Sequence, residues 1–162
     1  MAVTRRVSVE KNRLRFAAAH FATFLGTCEP LHGHNYDISV DLEGELTEDS
    51  WVWDFGDLKK LTKEIADKLD HKFILQLDSR ILKIKENLTD WEISYLEKRY
   101  IFPKSDVIAL PIDNSTAEKI AEWFAEQLVA SLSTRVGKFT KLTVGIEEMP
   151  GQAGWYTLDF NN

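Results

Sequence analysis

From His34 to Leu42 the chain alternates without a break. His34, Tyr36, Ile38, Val40 and Leu42 share one parity, and Asn35, Asp37, Ser39 and Asp41 share the other. Successive side chains of a strand leave opposite faces, so this segment reads as a half-buried strand of a sheet covered on one side. A helical period cannot give that pattern. A histidine heads the apolar set, so whatever covers this face must also satisfy an imidazole.

Other segments fit the same sheet. Leu14, Phe16, Ala18 and His20 alternate against Arg15, Ala17 and Ala19. Leu142, Val144, Ile146 and Glu148 share a parity, as do Tyr156, Leu158 and Phe160. Between these pairs lie two helices. Asp54 can cap the first, with Phe55, Leu58, Leu61, Ile65 and Leu69 on one stripe. Ser115-Thr116-Ala117-Glu118 reads as a capping box for the second, with Ala117, Ile120, Ala121, Phe124 and Leu128 on its stripe. The order β-β-α-α-β-β predicts an α+β fold: a four-stranded antiparallel sheet with two main helices on one face. A stretch at about 77–110 stands between the helices as an insert, and Thr89-Asp90-Trp91-Glu92 predicts a further capped helix there. The 162 residues fit a single domain. Exposed sheet edges favour self-association.

Composition removes several classes. The 26 acidic and 20 basic residues give a net charge of −6, against general nucleic-acid binding. No apolar run approaches the roughly 20 residues of a membrane span. One cysteine forms no internal disulfide, so a reducing, cytoplasmic setting is expected. Arg5, Arg6, Lys11, Arg13 and Arg15 make the N-terminal stretch basic. That reads either as a solvated strand edge or as a rim attracting a phosphorylated substrate.

His32-Gly33-His34 is an i, i+2 pair, so both rings leave one face of a strand, with Gly33 expected to leave space between them. His20 has the apolar parity of its own strand. A single buried histidine is usually a hydrogen-bonded core residue. Three on converging faces point to zinc, held with one coordination position open, which is the catalytic arrangement. Cys28, four residues before His32, reads either as inert and buried or as a thiolate acidified by the metal and acting as a base. Glu29 lies three residues before His32. Asp70-His71 is either a turn with a surface histidine or a carboxylate orienting an imidazole. Glu148 either turns to solvent at the strand end or faces the apolar side. There, a ligand with two adjacent N–H groups would satisfy it.

Phe16 to His20, Cys28 to Tyr36, Asp54 to Lys59, Leu69-Asp70-His71, Ser115 to Glu118 and the strand ending at Glu148 together resemble the 6-pyruvoyl-tetrahydropterin synthase / 6-carboxytetrahydropterin synthase family. The resemblance covers about residues 14–76 and 111–158. It implies the tunnelling fold, a homohexamer built as a dimer of trimers, and active sites at subunit interfaces. It implies 7,8-dihydroneopterin triphosphate as substrate, with His20, His32 and His34 as zinc ligands and Cys28, Asp70 and His71 as catalytic trio. Glu148 matches the pterin anchor, and Thr116 falls in the pterin-pocket segment. Cys28 resembles the carboxy-forming branch. Glu29 resembles a branch that makes 6-hydroxymethyl-7,8-dihydropterin for folate. Carrying both, the chain looks like a dual-type member, and 6-carboxytetrahydropterin for queuosine is the first expected product. The resemblance also admits the 6-pyruvoyl product. A non-catalytic metal- or pterin-binding module competes with the enzyme reading. Lys119 and Met149 stand where the family often has Asn and Thr, and the insert has no counterpart in shorter members.

Overall fold

The computed structural model describes residues 3–135 and 137–160. At its centre β1 (Arg5–His20) pairs antiparallel with β4 (His32–Gly44). Leu14, Phe16, Ala18 and His20 are buried, as are Tyr36, Ile38, Val40 and Leu42, which is the predicted parity. β10 (Phe139–Met149) flanks β4, and β11 (Gln152–Asp159) flanks β10, both antiparallel. Helices α1 (Phe55–Leu69) and α2 (Ala117–Leu132) pack on the buried face in one core. The Asp54 carboxylate caps α1 by accepting the Asp57 N–H at 2.7 Å. The stripes Leu58–Leu61–Ile65–Leu69 and Ala117–Ile120–Ala121–Phe124–Leu128 are the buried ones, whereas Phe55, expected to begin the first, is exposed at the start of α1. β11 passes so close to the start of α2 that only glycine fits at 154: a Cβ would lie 2.4 Å from the Glu118 nitrogen.

Three expectations are corrected. The sheet has six strands, in the order β11-β10-β4-β1-β5-β9. β5 (Lys72–Gln76) pairs parallel with β1, and β9 (Val107–Leu110) parallel with β5. Both are short apolar runs packed on two faces, where alternation carries no signal. The insert holds no α-helix among the described residues, only one short 3-10 turn at Lys104–Asp106. It forms a three-stranded antiparallel sheet, β6 (Lys83–Glu86), β7 (Asp90–Tyr95) and β8 (Lys98–Pro103). Trp91, Ile93, Tyr100 and Phe102 gather there with Phe21, Phe73 and Leu75. Phe73 stacks on Phe102 at 4.4 Å. This aromatic packing outweighs a local capping signal. The capping box at 115–118 is also displaced by one residue. Thr116 is the N-cap and accepts from the Lys119 N–H, while the buried Ser115 hydroxyl donates to the Phe21 carbonyl at 3.2 Å.

Two of the N-terminal arginines are strand-surface charges: Arg6 pairs with Asp41 at 3.0 Å and Arg15 with Asp37 at 3.2 Å. The β1–β4 ladder is interrupted between Glu10 and Arg15.

Candidate metal centre and active site

β1 ends on His20, which pairs across the ladder with His32, the first residue of β4, and His34 follows two residues on. The antiparallel register therefore converts two distant sequence positions into neighbours. One ligand atom from each ring lies within 4.8 Å of the others. His20 Nδ1 lies 2.8 Å from the Ser115 carbonyl, and His32 Nδ1 lies 2.8 Å from the Pro30 carbonyl. A carbonyl only accepts, so each Nδ1 carries the proton and each Nε2 offers a lone pair. The two Nε2 atoms face each other at 3.2 Å. Two lone pairs at that separation repel unless a cation lies between them. Zinc–nitrogen bonds of about 2.0–2.1 Å in tetrahedral geometry space their nitrogens at about 3.3 Å. Burial is the main cause that lowers His20 to about 4, with the charges of His32 and His34 adding to it against the Ser115 carbonyl. Burial also lowers His34. The donor set thus fits a dication. Gly33 does not serve to separate the rings. A Cβ there would meet the Ala18 carbonyl oxygen at 2.8 Å, so the glycine permits close strand pairing instead.

Two carboxylates border the imidazoles. Glu148 Oε2 lies 4.0 Å from His34 Nε2, at the end of β10. Burial, followed by the charge of Glu29, raises the Glu148 pKa above the ordinary carboxylate value. Glu147 faces elsewhere and accepts from the Gly151 N–H at 3.3 Å. The Glu29 carboxylate is exposed and accepts the Ala22 N–H at 3.3 Å, two residues beyond His20. Cys28 is turned the other way. It is 3% exposed and packs with Phe21, Phe73 and Leu75. Burial pushes its thiol up.

Asp70 and His71 form a built pair. Asp70 Oδ1 accepts the Ala17 N–H at 2.8 Å, and Oδ2 lies 3.0 Å from His71 Nδ1. The Ala17 N–H is the main cause that holds this carboxyl below the usual range, and His71 adds to it. His71 has φ 58°, a region few non-glycine residues adopt but histidine adopts more readily than most, and its ring is 83% exposed. It stands outside the three-imidazole cluster but borders, with His34, one open cavity of about 560 Å³.

With this geometry the chain can be set beside known proteins. A sequence profile of the 6-pyruvoyl tetrahydropterin synthase family matches residues 8–159. A Methanocaldococcus jannaschii protein provisionally named 6-carboxy-5,6,7,8-tetrahydropterin synthase is 37% identical over 88% of this chain and 89% of its own length. The Haemophilus influenzae 6-carboxy-5,6,7,8-tetrahydropterin synthase is 32% identical over 64% of this chain and 68% of its own. The crystal structure of 6-pyruvoyl tetrahydropterin synthase from Plasmodium vivax superposes with a TM-score of 0.90 at 33% identity, covering 98% of this chain and all of that one. Two further structures of the P. vivax protein, each at TM-score 0.90, are of variants in a residue described as catalytic, a glutamate replaced by alanine or cysteine.

The chain belongs to the 6-pyruvoyl tetrahydropterin synthase family. It is an enzyme built on the tunnelling fold of that family. Thr116, expected in the pterin pocket, sits at the N-cap of α2, beside the Ser115 carbonyl that holds His20. Sequence reasoning missed three contributors. Ser115 and Pro30 act through backbone carbonyls, which leave no side-chain signature. Tyr36 had a signal, its shared parity with His34. It is fully buried and stacks on Phe16 at 4.6 Å, with its ring centre 5.4 Å from that of His34. Its hydroxyl is buried without a hydrogen-bond partner among the described residues.

Proposed function

We propose that this enzyme is a zinc-dependent lyase acting on 7,8-dihydroneopterin triphosphate and forming 6-carboxy-5,6,7,8-tetrahydropterin, a queuosine precursor. The observation that carries the reading is the pair of proton-free Nε2 atoms of His20 and His32 facing each other at 3.2 Å beside His34 and Glu148. The names of the curated relatives support the product. His20, His32 and His34 would hold the dication. When bound, it polarises the side-chain oxygens of the substrate and acidifies the adjoining C–H bonds. Glu148 would accept two N–H groups of the pterin ring and so fix the side chain against the imidazoles. Cys28 would take and return a proton, which requires its thiol to turn out of its present packing. Asp70 would hold His71 in the tautomer and orientation of a partner acid or base. The high exposure of His71 suits service to a neighbouring copy within a homohexamer, with Thr116 near the pterin pocket.

A second reading is favoured by the placement of Cys28 and Glu29. The Glu29 carboxylate is exposed on the Ala22 N–H, two residues beyond His20, whereas the Cys28 thiol is packed in the second core. The catalytic glutamate described in the P. vivax enzyme is in keeping with a carboxylate in this role. In this reading Glu29 is the base and the product is 6-hydroxymethyl-7,8-dihydropterin.

Incubation of the zinc-loaded protein with dihydroneopterin triphosphate, followed by chromatographic identification of the pterin, tests both. Carboxytetrahydropterin lost in Cys28→Ala supports the first reading. A hydroxymethyl product lost in Glu29→Gln supports the second. No turnover at all rejects both.

A further inference from the structure

The insert reaches the loop that carries Cys28 and Glu29. That loop belongs to a small hairpin, β2 (Thr23–Phe24) and β3 (Thr27–Cys28), with only two paired positions, and Glu29 follows β3 directly. Leu25 and Gly26 at its tip have φ 48° and 78°. So short a ladder is marginal by itself. Two side chains of the insert grip its backbone. The Tyr95 hydroxyl, at the β7–β8 turn, donates to the Gly26 carbonyl at 2.6 Å, and the Lys98 ammonium donates to the Cys28 carbonyl at 3.4 Å. Leu82 and Ile93 join Phe21, Phe73 and Leu75 around the thiol. Consecutive residues at a strand end point in opposite directions. Holding Cys28 in this cluster therefore turns Glu29 the other way, where its carboxylate accepts the Ala22 N–H at 3.3 Å, two residues beyond His20.

We infer that the β7–β8 hairpin is a positioning clamp, in which Tyr95 and Lys98 hold the 25–29 loop so that the Glu29 carboxylate stays open on the His20 side and the Cys28 thiol is kept packed away. The insert thereby decides which of the two groups meets the substrate. The structural half of this inference stands by itself, and the choice of reacting group rests on the lyase reading above.

Cys28 is the only cysteine, so labelling of the full-length protein reports on it alone. Iodoacetamide labelling followed by intact mass spectrometry is expected to be slow in the unaltered protein. It should be about tenfold faster or more in Lys98→Met with Tyr95→Phe, since each lost bond raises the open population. Lys98→Met alone gives an intermediate rate, and Lys98→Arg, which keeps a donor in place, restores slow labelling. The ratio of carboxytetrahydropterin to hydroxymethyl product should rise in parallel. Labelling within about twofold of the unaltered protein in the double variant overturns the clamp. Faster labelling with an unchanged product ratio overturns its role in choosing the reacting group. Faster labelling in protein that turns over no pterin leaves the clamp standing and removes the lyase reading instead.

Discussion

The imidazoles and Tyr36 set opposite demands on the apoprotein. His20 must stay neutral because it is 2% exposed and its Nδ1 proton is committed to Ser115. Its folded value of about 4 lies below the unfolded 6.5, so the unfolded chain binds the proton more readily between those values. The stabilising contribution is complete above pH 6.5 and is lost as pH falls toward about 4. The loss is on the order of 3 kcal/mol. Urea titrations of metal-stripped protein at pH 7 and pH 4.5 should show this fall, and it should be largely absent in His20→Gln. Tyr36 brings the reverse case. Its hydroxyl is buried without a partner, and Tyr36→Phe keeps the ring on Phe16 while removing that group. The apoprotein variant should be as stable as the unaltered one, or more stable by up to about 1 kcal/mol. A loss above about 2 kcal/mol by thermal unfolding would mean the hydroxyl has a partner in the apoprotein. These residues also mark what was legible. The three histidines, Glu148 and Tyr36 announce themselves by parity, whereas the turning away of Cys28 depends on packing from residues 54 to 65 positions further along the chain, such as Leu82 and Ile93.

At the scale of elements, long strands and amphipathic helices were readable because one face is buried and the other is not. β1, β4, β10, α1 and α2 carry that asymmetry in their own residues. β5 and β9 do not, since Phe73 and Leu75 face the insert while Ile74 faces the helices. In the insert, Thr89 to Glu92 satisfies a helix-start pattern, yet Trp91 and Ile93 gain more by meeting Tyr100 and Phe102 across a sheet. The contact of β11 with α2 gives a direct test of element packing. Gly154→Ala forces a methyl against the helix backbone at Glu118 and Ala117, which cannot swing aside. It should lower stability by about 1–3 kcal/mol, measured by denaturant unfolding. Gly151→Ala, with open space around its Cβ position but φ 81°, tests strain alone and should cost less, about 1 kcal/mol.

For the molecule as a whole, β11 and β9 leave both edges of the six-stranded sheet unpaired within one chain. Exposed Phe24, Leu25, Trp155 and Ile101 add apolar surface. Native mass spectrometry should find the proposed six-chain assembly, and a monomer at micromolar concentration would contradict it. Among the described residues no helix is long and apolar enough to cross a membrane. The whole account turns on the proposed dication, because the roles proposed for Glu148 and for the pterin chemistry depend on it. Its most direct test is elemental analysis of protein purified without chelator or added metal, alongside His32→Ala and His34→Ala. About one zinc or similar dication per chain is expected in the unaltered protein, and a small fraction of that in either variant. A metal-free unaltered protein, or equal metal content in all three, would contradict it.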